Sequence, residues 1–213
     1  MIRIIRIAFL LLKNMRSYSK VNKTSSESLK TYEQLRTYAL EVNNHNYLKL
    51  IDVTQFIVVI QLDISSLIFS AFMSPYKWQR QIQVRHLALA LYEFEDDVPK
   101  VLGKDFRKLL ENISAEKRHF IRLASLRSEL ATLLQKHHRM LKELRNLTTA
   151  HREHDSHCML IAIEKTDIYK IVGIANSVTI WIGEALLFLT SVSLDWKRNM
   201  ENNNPTHSRA INL

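Results

Sequence analysis

Three glycines and three prolines punctuate 213 residues, and the first of the six is Pro75. Hairpin-rich folds need turn formers every few residues, because tight turns call for backbone angles that Gly, Pro, Asn or Asp adopt cheaply. A chain this poor in punctuation has few places to reverse a strand. Long helices need none, so an all-α fold is predicted. The length suits one domain and can bury a substantial core.

Hydrophobic spacing agrees. From Ser26 the apolar residues recur at steps of three and four, predicting a first helix over 26–43 that ends at Asn43–Asn44. Residues 46–73 are strongly apolar, and Asp52 and Asp63 within them argue for a core helix rather than a membrane span. Pro75 ends that helix, since the residue before a proline is pushed out of the α region. Residues 78–97 form the next, closed by Pro99 and Gly103. A short helix fits 105–112. A long one over Ser114–Arg145 carries the stripe Phe120, Leu123, Leu126, Leu130, Leu133, Leu134, Leu141 and Leu144. The last apolar stretch, 171–194, holds Glu184 as its one charge and is long enough to cross a bilayer. Asn176, Ser177, Thr179 and Ser191 dilute it, and a central bundle helix reads the same way, so no membrane anchoring is expected. The expectation is a bundle of about five or six helices: a basic tail over 1–24, a helical domain over 25–197 and a polar, disordered tail over 198–213. The apolar start of the tail is too short to span a bilayer, and Met15 is an alternative first residue.

Charge is uneven. The formal net charge is +9. Residues 104–152 carry twelve Lys or Arg against five Asp or Glu, with four histidines besides. A basic helix of that kind suits a polyanion such as RNA, and it equally suits a solvated helix face. The acidic run YEFEDD at 92–97 reads as a solvated helix end, or as a site for a basic partner or another subunit's basic helix. Cys158 stands alone, so no internal disulfide forms, which fits a reducing, cytoplasmic setting. No Gly-rich phosphate loop exists to hydrolyse nucleotides.

The segment LKELRNLTTAHREHDSHC, 141–158, concentrates the chemistry. His151, His154, Asp155 and Cys158 share one helical face if the segment is helical, with His157 on another, but zinc needs about four converging ligands and one helix seldom supplies them. His137 and His138 lie upstream at no recognised metal spacing, so no metal or other cofactor is expected. Arg145 and His151 are separated by five residues, a spacing that decides nothing by itself. Two further readings stay open. In one, Arg145 and Asn146 merely cap a helix C-terminus, where a cation is favoured by the dipole. In the other they belong to a phosphodiester-cleaving site.

The string LRNLTTAHREHD resembles the motif of HEPN domains, the helical-bundle family of ribonucleases and toxins, and is most similar to its abortive-infection branch. The close likeness covers a dozen residues and extends loosely over 114–195 through a long helix before and an apolar helix after. The resemblance implies a metal-independent endoribonuclease of toxin or phage-defence type, a homodimer with composite sites and, where a toxin is meant, an antitoxin protein. Arg145, Asn146 and His151 would be its catalytic residues, with Arg139, Lys142 and Arg152 binding RNA.

Cleavage through a 2′,3′-cyclic phosphate needs a base for the 2′-hydroxyl, an acid for the leaving 5′-oxygen and a cation for the phosphorane. Histidine can fill either proton-transfer role near neutrality. Arginine stays charged and grips phosphate oxygens through two parallel N–H groups. Asn146 would orient, and Glu153 or His154 is near enough in sequence to assist. On a continuous helix, positions 145 and 151 point about 120° apart. Either the helix breaks at NLTT, 146–149, or a second subunit completes the site. The alternative function is a catalytically silent helical module that binds RNA or a partner protein.

Overall fold

A computed structural model describes residues 2–149, 164 and 166–203, and every regular element among them is a helix. In chain order these are α1 (Ile2–Glu41), α2 (His45–Met73), α3 (Lys77–Val101), α4 (Lys104–Asn112), α5 (Lys117–Gln135), α6 (His138–Thr149) and α7 (Ile168–Asn203). The protein is an all-α helical bundle.

The first three bends have local causes. At the end of α1, Asn43 takes a left-handed conformation (φ 52°), and the Asn44 side chain then caps α2 by accepting from the Tyr47 N–H at 3.1 Å. Asparagine tolerates that conformation and caps well, so the pair turns the chain without glycine. α2 stops at Met73, with Ser74 already extended ahead of Pro75. The second expected stop is displaced. Pro99 lies inside α3, which runs one more turn to Val101, and the chain breaks at Gly103 instead. A Cβ on Gly103 would sit 2.8 Å from the Pro99 carbonyl oxygen and 2.9 Å from that of Lys100, so only glycine lets the chain leave so closely.

The helix expected over Ser114–Arg145 is two helices. The apolar stripe lacks a rung between Leu134 and Leu141, where Gln135, Lys136, His137 and His138 intervene. A tight turn there is closed by the His137 N–H bonding the Leu134 carbonyl at 2.8 Å. α5 packs on α7 while α6 packs on α3, and one straight rod could not reach both.

The other difference is at the start. Residues 2–24, expected as a tail, continue α1 as helix. α1 runs antiparallel to α2, and polar pairs join the two. Asn22 bonds Ser65 and Ser66, Ser25 bonds Gln61 at 3.2 Å, Gln55 bonds Glu33 at 3.2 Å, and Arg36 bonds Asp52 at 3.0 Å. Asp52 is thus accounted for as a bundle residue. α2 and α7 are each long and apolar enough to cross a membrane by length and composition. A third of the apolar window of α2 and half of that of α7 is buried inside the bundle.

α7 is the central strut. It touches α2, α3 and α5, burying Ile171, Val178, Ile182, Ala185, Leu189 and Val192 among others. Near its end Asp195 accepts from the Nε2 of the buried His119 at 2.8 Å and from Arg118, tying the first turn of α5 to α7. Burial alone would raise the Asp195 carboxyl pKa; the bonds and charges of His119 and Arg118 outweigh it and hold the group below the ordinary carboxylate range.

Removing this clamp leaves an imidazole buried without its carboxylate. Asp195→Ala is expected to cost about 1–3 kcal/mol in urea unfolding. Because the folded-state pKa is depressed, this contribution is present above the ordinary carboxylate value and is lost as pH falls through the folded one. Wild type and Asp195→Ala should therefore converge in stability in acid, and parallel curves down to low pH would refute the assignment.

Candidate basic face on α6

α6 is amphipathic and short. Leu141 and Leu144 are buried, Met140 packs against the core, and the helix lies along α3. The outward arc carries Arg139, Lys142, Arg145 and Asn146, all exposed. Steps of three place Arg139, Lys142 and Arg145 within about 120° of arc. Three cations along such a short arc make a ready contact for a run of phosphates.

Arg145 is positioned by more than its own helix. Its guanidinium lies over the ring of Tyr92 on α3, 5.5 Å from the centroid, and its Nη1 donates to the Asn146 Oδ1 at 3.4 Å. The negative face of an aromatic ring attracts a cation and so favours this placement of the guanidinium. Arg139 bonds Glu143 one turn on, at 3.0 Å, but its side chain is 94% exposed and the pair adds little stability.

The structure brings in residues that motif reading passed over. His138, seven positions before Arg145 on the same face, lies with its ring centroid 5.8 Å from that of Tyr92. Its Nδ1 is 3.0 Å from the Glu95 carboxylate. An ionised carboxylate only accepts, so in this contact Nδ1 is the donor. Tyr92 and Glu95 belong to the acidic run YEFEDD. That run is therefore neither a bare solvated end nor a patch for another chain alone: part of it holds the basic helix of the same chain. Asp96 and Asp97 pair with Lys100 at 2.6 and 3.3 Å. The spacing Tyr92, Glu95 on one helix against His138, Arg145 on another was visible in the sequence. Nothing there showed that α3 and α6 are neighbours.

His137 points elsewhere. It is half-buried at the α5–α6 turn, and burial, followed by the charges of Lys136 and Lys170, pushes its imidazole below the ordinary range. It therefore stays neutral more readily than an exposed histidine.

Two expected site residues, His151 and Arg152, lie outside the described residues, as do His154, Asp155, His157 and Cys158 of the metal reading. Among the described residues no group of three or more His, Cys, Asp or Glu side chains converges as a metal site. The expected break at NLTT is not found, because α6 stays helical to Thr149. Leu141 and Leu144 anchor the helix on α3, and that packing outweighs the weak helix propensity of Asn and Thr.

A scan against protein-family models finds no match, and searches of curated proteins and of solved structures find none either.

Because Tyr92 is the platform for Arg145, Tyr92→Leu should loosen the guanidinium at a stability cost of about 0.5–1 kcal/mol. The readout is the order parameter of the Arg145 Nε–Hε group by NMR. An unchanged value would mean that the ring does not hold it.

Proposed function

We propose that the protein is a metal-independent endoribonuclease of toxin or phage-defence type, resembling HEPN domains, whose active unit is a homodimer. The observation that carries this reading is the placement of Arg145: exposed, pinned over Tyr92, and on the same helix face as the histidine–carboxylate pair His138–Glu95. Such an arginine suits a developing phosphorane, because a preorganised cation stabilises the charge without reorganising when it forms. Asn146, bonded to Arg145, orients it or a phosphate oxygen. His151 moves protons as the motif implies, and His138 is a second group of the right chemistry close to Arg145. Arg139, Lys142 and Arg152 bind the RNA backbone. α6 is unbroken to Thr149, so no break at NLTT brings position 151 round toward Arg145, and the reading relies on a second subunit to complete the site.

The runner-up, a silent module that binds RNA, draws on the same basic face without needing proton transfer. Purified protein incubated with total RNA in excess EDTA separates the two. Wild type should cleave and leave 2′,3′-cyclic phosphate ends, while Arg145→Ala and His151→Ala lose at least about 100-fold in rate. No cleavage by a folded, RNA-binding wild type would leave the binding module standing.

Binding itself gives an independent check. Arg139→Ala should leave the unfolding free energy within about 0.5 kcal/mol of wild type. It should also lower the slope of log affinity against log salt by about one. An unchanged slope would take Arg139 out of the RNA contact.

A further inference from the structure

α7 hides one face and shows another. Along the shown face, Gly173, Ile180, Leu187 and Leu194 recur every seven residues, and the last three are 71%, 67% and 51% exposed. Alternating with them at the other heptad step stand Ser177, Glu184, Ser191 and Arg198. Large apolar side chains standing that far out of a bundle, in register over about 21 Å of helix, mark a contact surface rather than scattered exposure. Gly173 adds a second oddity. A Cβ there, as at Gly183, would meet nothing within 4 Å, so packing among the described residues gives no reason for a residue that weakens a helix interior.

We propose that this stripe is a self-association seam, on which two copies of the chain pair α7 against α7 in antiparallel fashion. The twofold axis passes at the level between residues 185 and 186. In that register Ile180 of one copy faces Ser191 of the other, Leu187 faces Glu184, Leu194 faces Ser177 and Arg198 faces Gly173. Every layer sets a large side chain against a smaller or flexible one, the condition for close interdigitation. Gly173 then has a purpose, since its bare backbone leaves room for the long Arg198 stem. The seam is isologous and closes on itself, as a twofold dimer requires.

Charge selects the antiparallel direction. A parallel pair would stack Glu184 on Glu184 and Arg198 on Arg198, both like-charged, and would oppose glycine to glycine. In the antiparallel pair Glu184 keeps its ion pair with Arg122 of its own chain, at 2.8 Å, while its methylenes cover Leu187 of the second copy. Arg198 likewise keeps Asp195 of its own chain, at 3.6 Å. The seam goes beyond the nuclease reading, which implies a dimer but not this surface, and it depends on neither RNA nor catalysis.

The test reads assembly without RNA. The full chain at micromolar concentration should show by light scattering twice the 25.0 kDa chain mass. Leu187→Asp, at an exposed site, should leave the circular dichroism unchanged and raise the dissociation constant about thirtyfold or more. Leu40→Asp, at an exposed apolar residue of α1, should remain dimeric. For direction, Ser177→Cys and Leu194→Cys are each made on a Cys158→Ser background. Oxidation should link them only when the two are mixed. A monomeric wild type, a Leu187→Asp dimer, or self-linking of either cysteine variant alone would overturn the proposal. So would flotation of the wild type with phosphatidylcholine–phosphatidylglycerol vesicles through this stripe, abolished by Leu187→Asp, which would give the surface to lipid. RNA cleavage measured on the same samples stays a separate readout, so an active nuclease with no α7 seam would condemn the seam alone.

Discussion

Trp181 sits where three helices meet. Its ring packs edge-on against Phe94 of α3, with centroids 5.6 Å apart and planes at 79°, and its indole N–H donates to the Leu126 carbonyl of α5 at 2.9 Å. A buried indole must satisfy its one donor, and a carbonyl already inside a helix can accept a second bond with its other lone pair. That bond fixes the rotation of α5 about its axis, while the edge-on ring fixes the approach of α3. Once α7 is placed against both, α2 closes the remaining side, with Tyr47 stacked on Trp196 at 4.7 Å. The position of α6, and so of the basic face, follows from α3.

Two kinds of contact hold the outer helices. α1 is zipped to α2 through polar side chains, with Ala39 its most deeply buried apolar residue among those described. α6 is held by two leucines and by the Tyr92–His138–Glu95 contact. Neither helix is anchored as α7 is. A basic helix with only one face on the bundle leaves its charged arc open to a polyanion, and the acidic run beneath it offsets part of the repulsion among its cations. The function proposed for α6 needs that balance: enough order to aim Arg145, enough exposure for a phosphate to reach it.

How much was legible depended on whether a feature was local. The turn at Asn43–Asn44, the stop before Pro75 and the short helix ahead of Ile113 could be read because each is set by the backbone preferences of a few neighbouring residues. Pro99 misled, since a proline tells only that its own N–H is missing, and the close carbonyls that force the exit are felt at Gly103. The NLTT segment misled likewise: propensity disfavours a helix there by tenths of a kcal/mol per residue, and packing of Leu141 and Leu144 on α3 outweighs it. Residues 2–24 carry no strong amphipathic pattern or cap, so nothing local marked the helix that continues through them.

The sequence by itself determined that this chain is helical, that its cations concentrate over residues 104–152, and which of its residues carry groups able to hold a phosphate or move a proton. Those are properties of composition, of turn residues and of side-chain chemistry, and they survive any arrangement of the helices. Only the tertiary structure decided that the acidic run of α3 lies under the basic helix α6, that Arg145 rests on Tyr92 beside His138, and that α7 buries one apolar face and leaves the other bare. Helix periodicity fixes which residues share a face. It carries no information about which helix that face will meet, because burial is non-directional and is satisfied by whichever partner the whole bundle brings within reach.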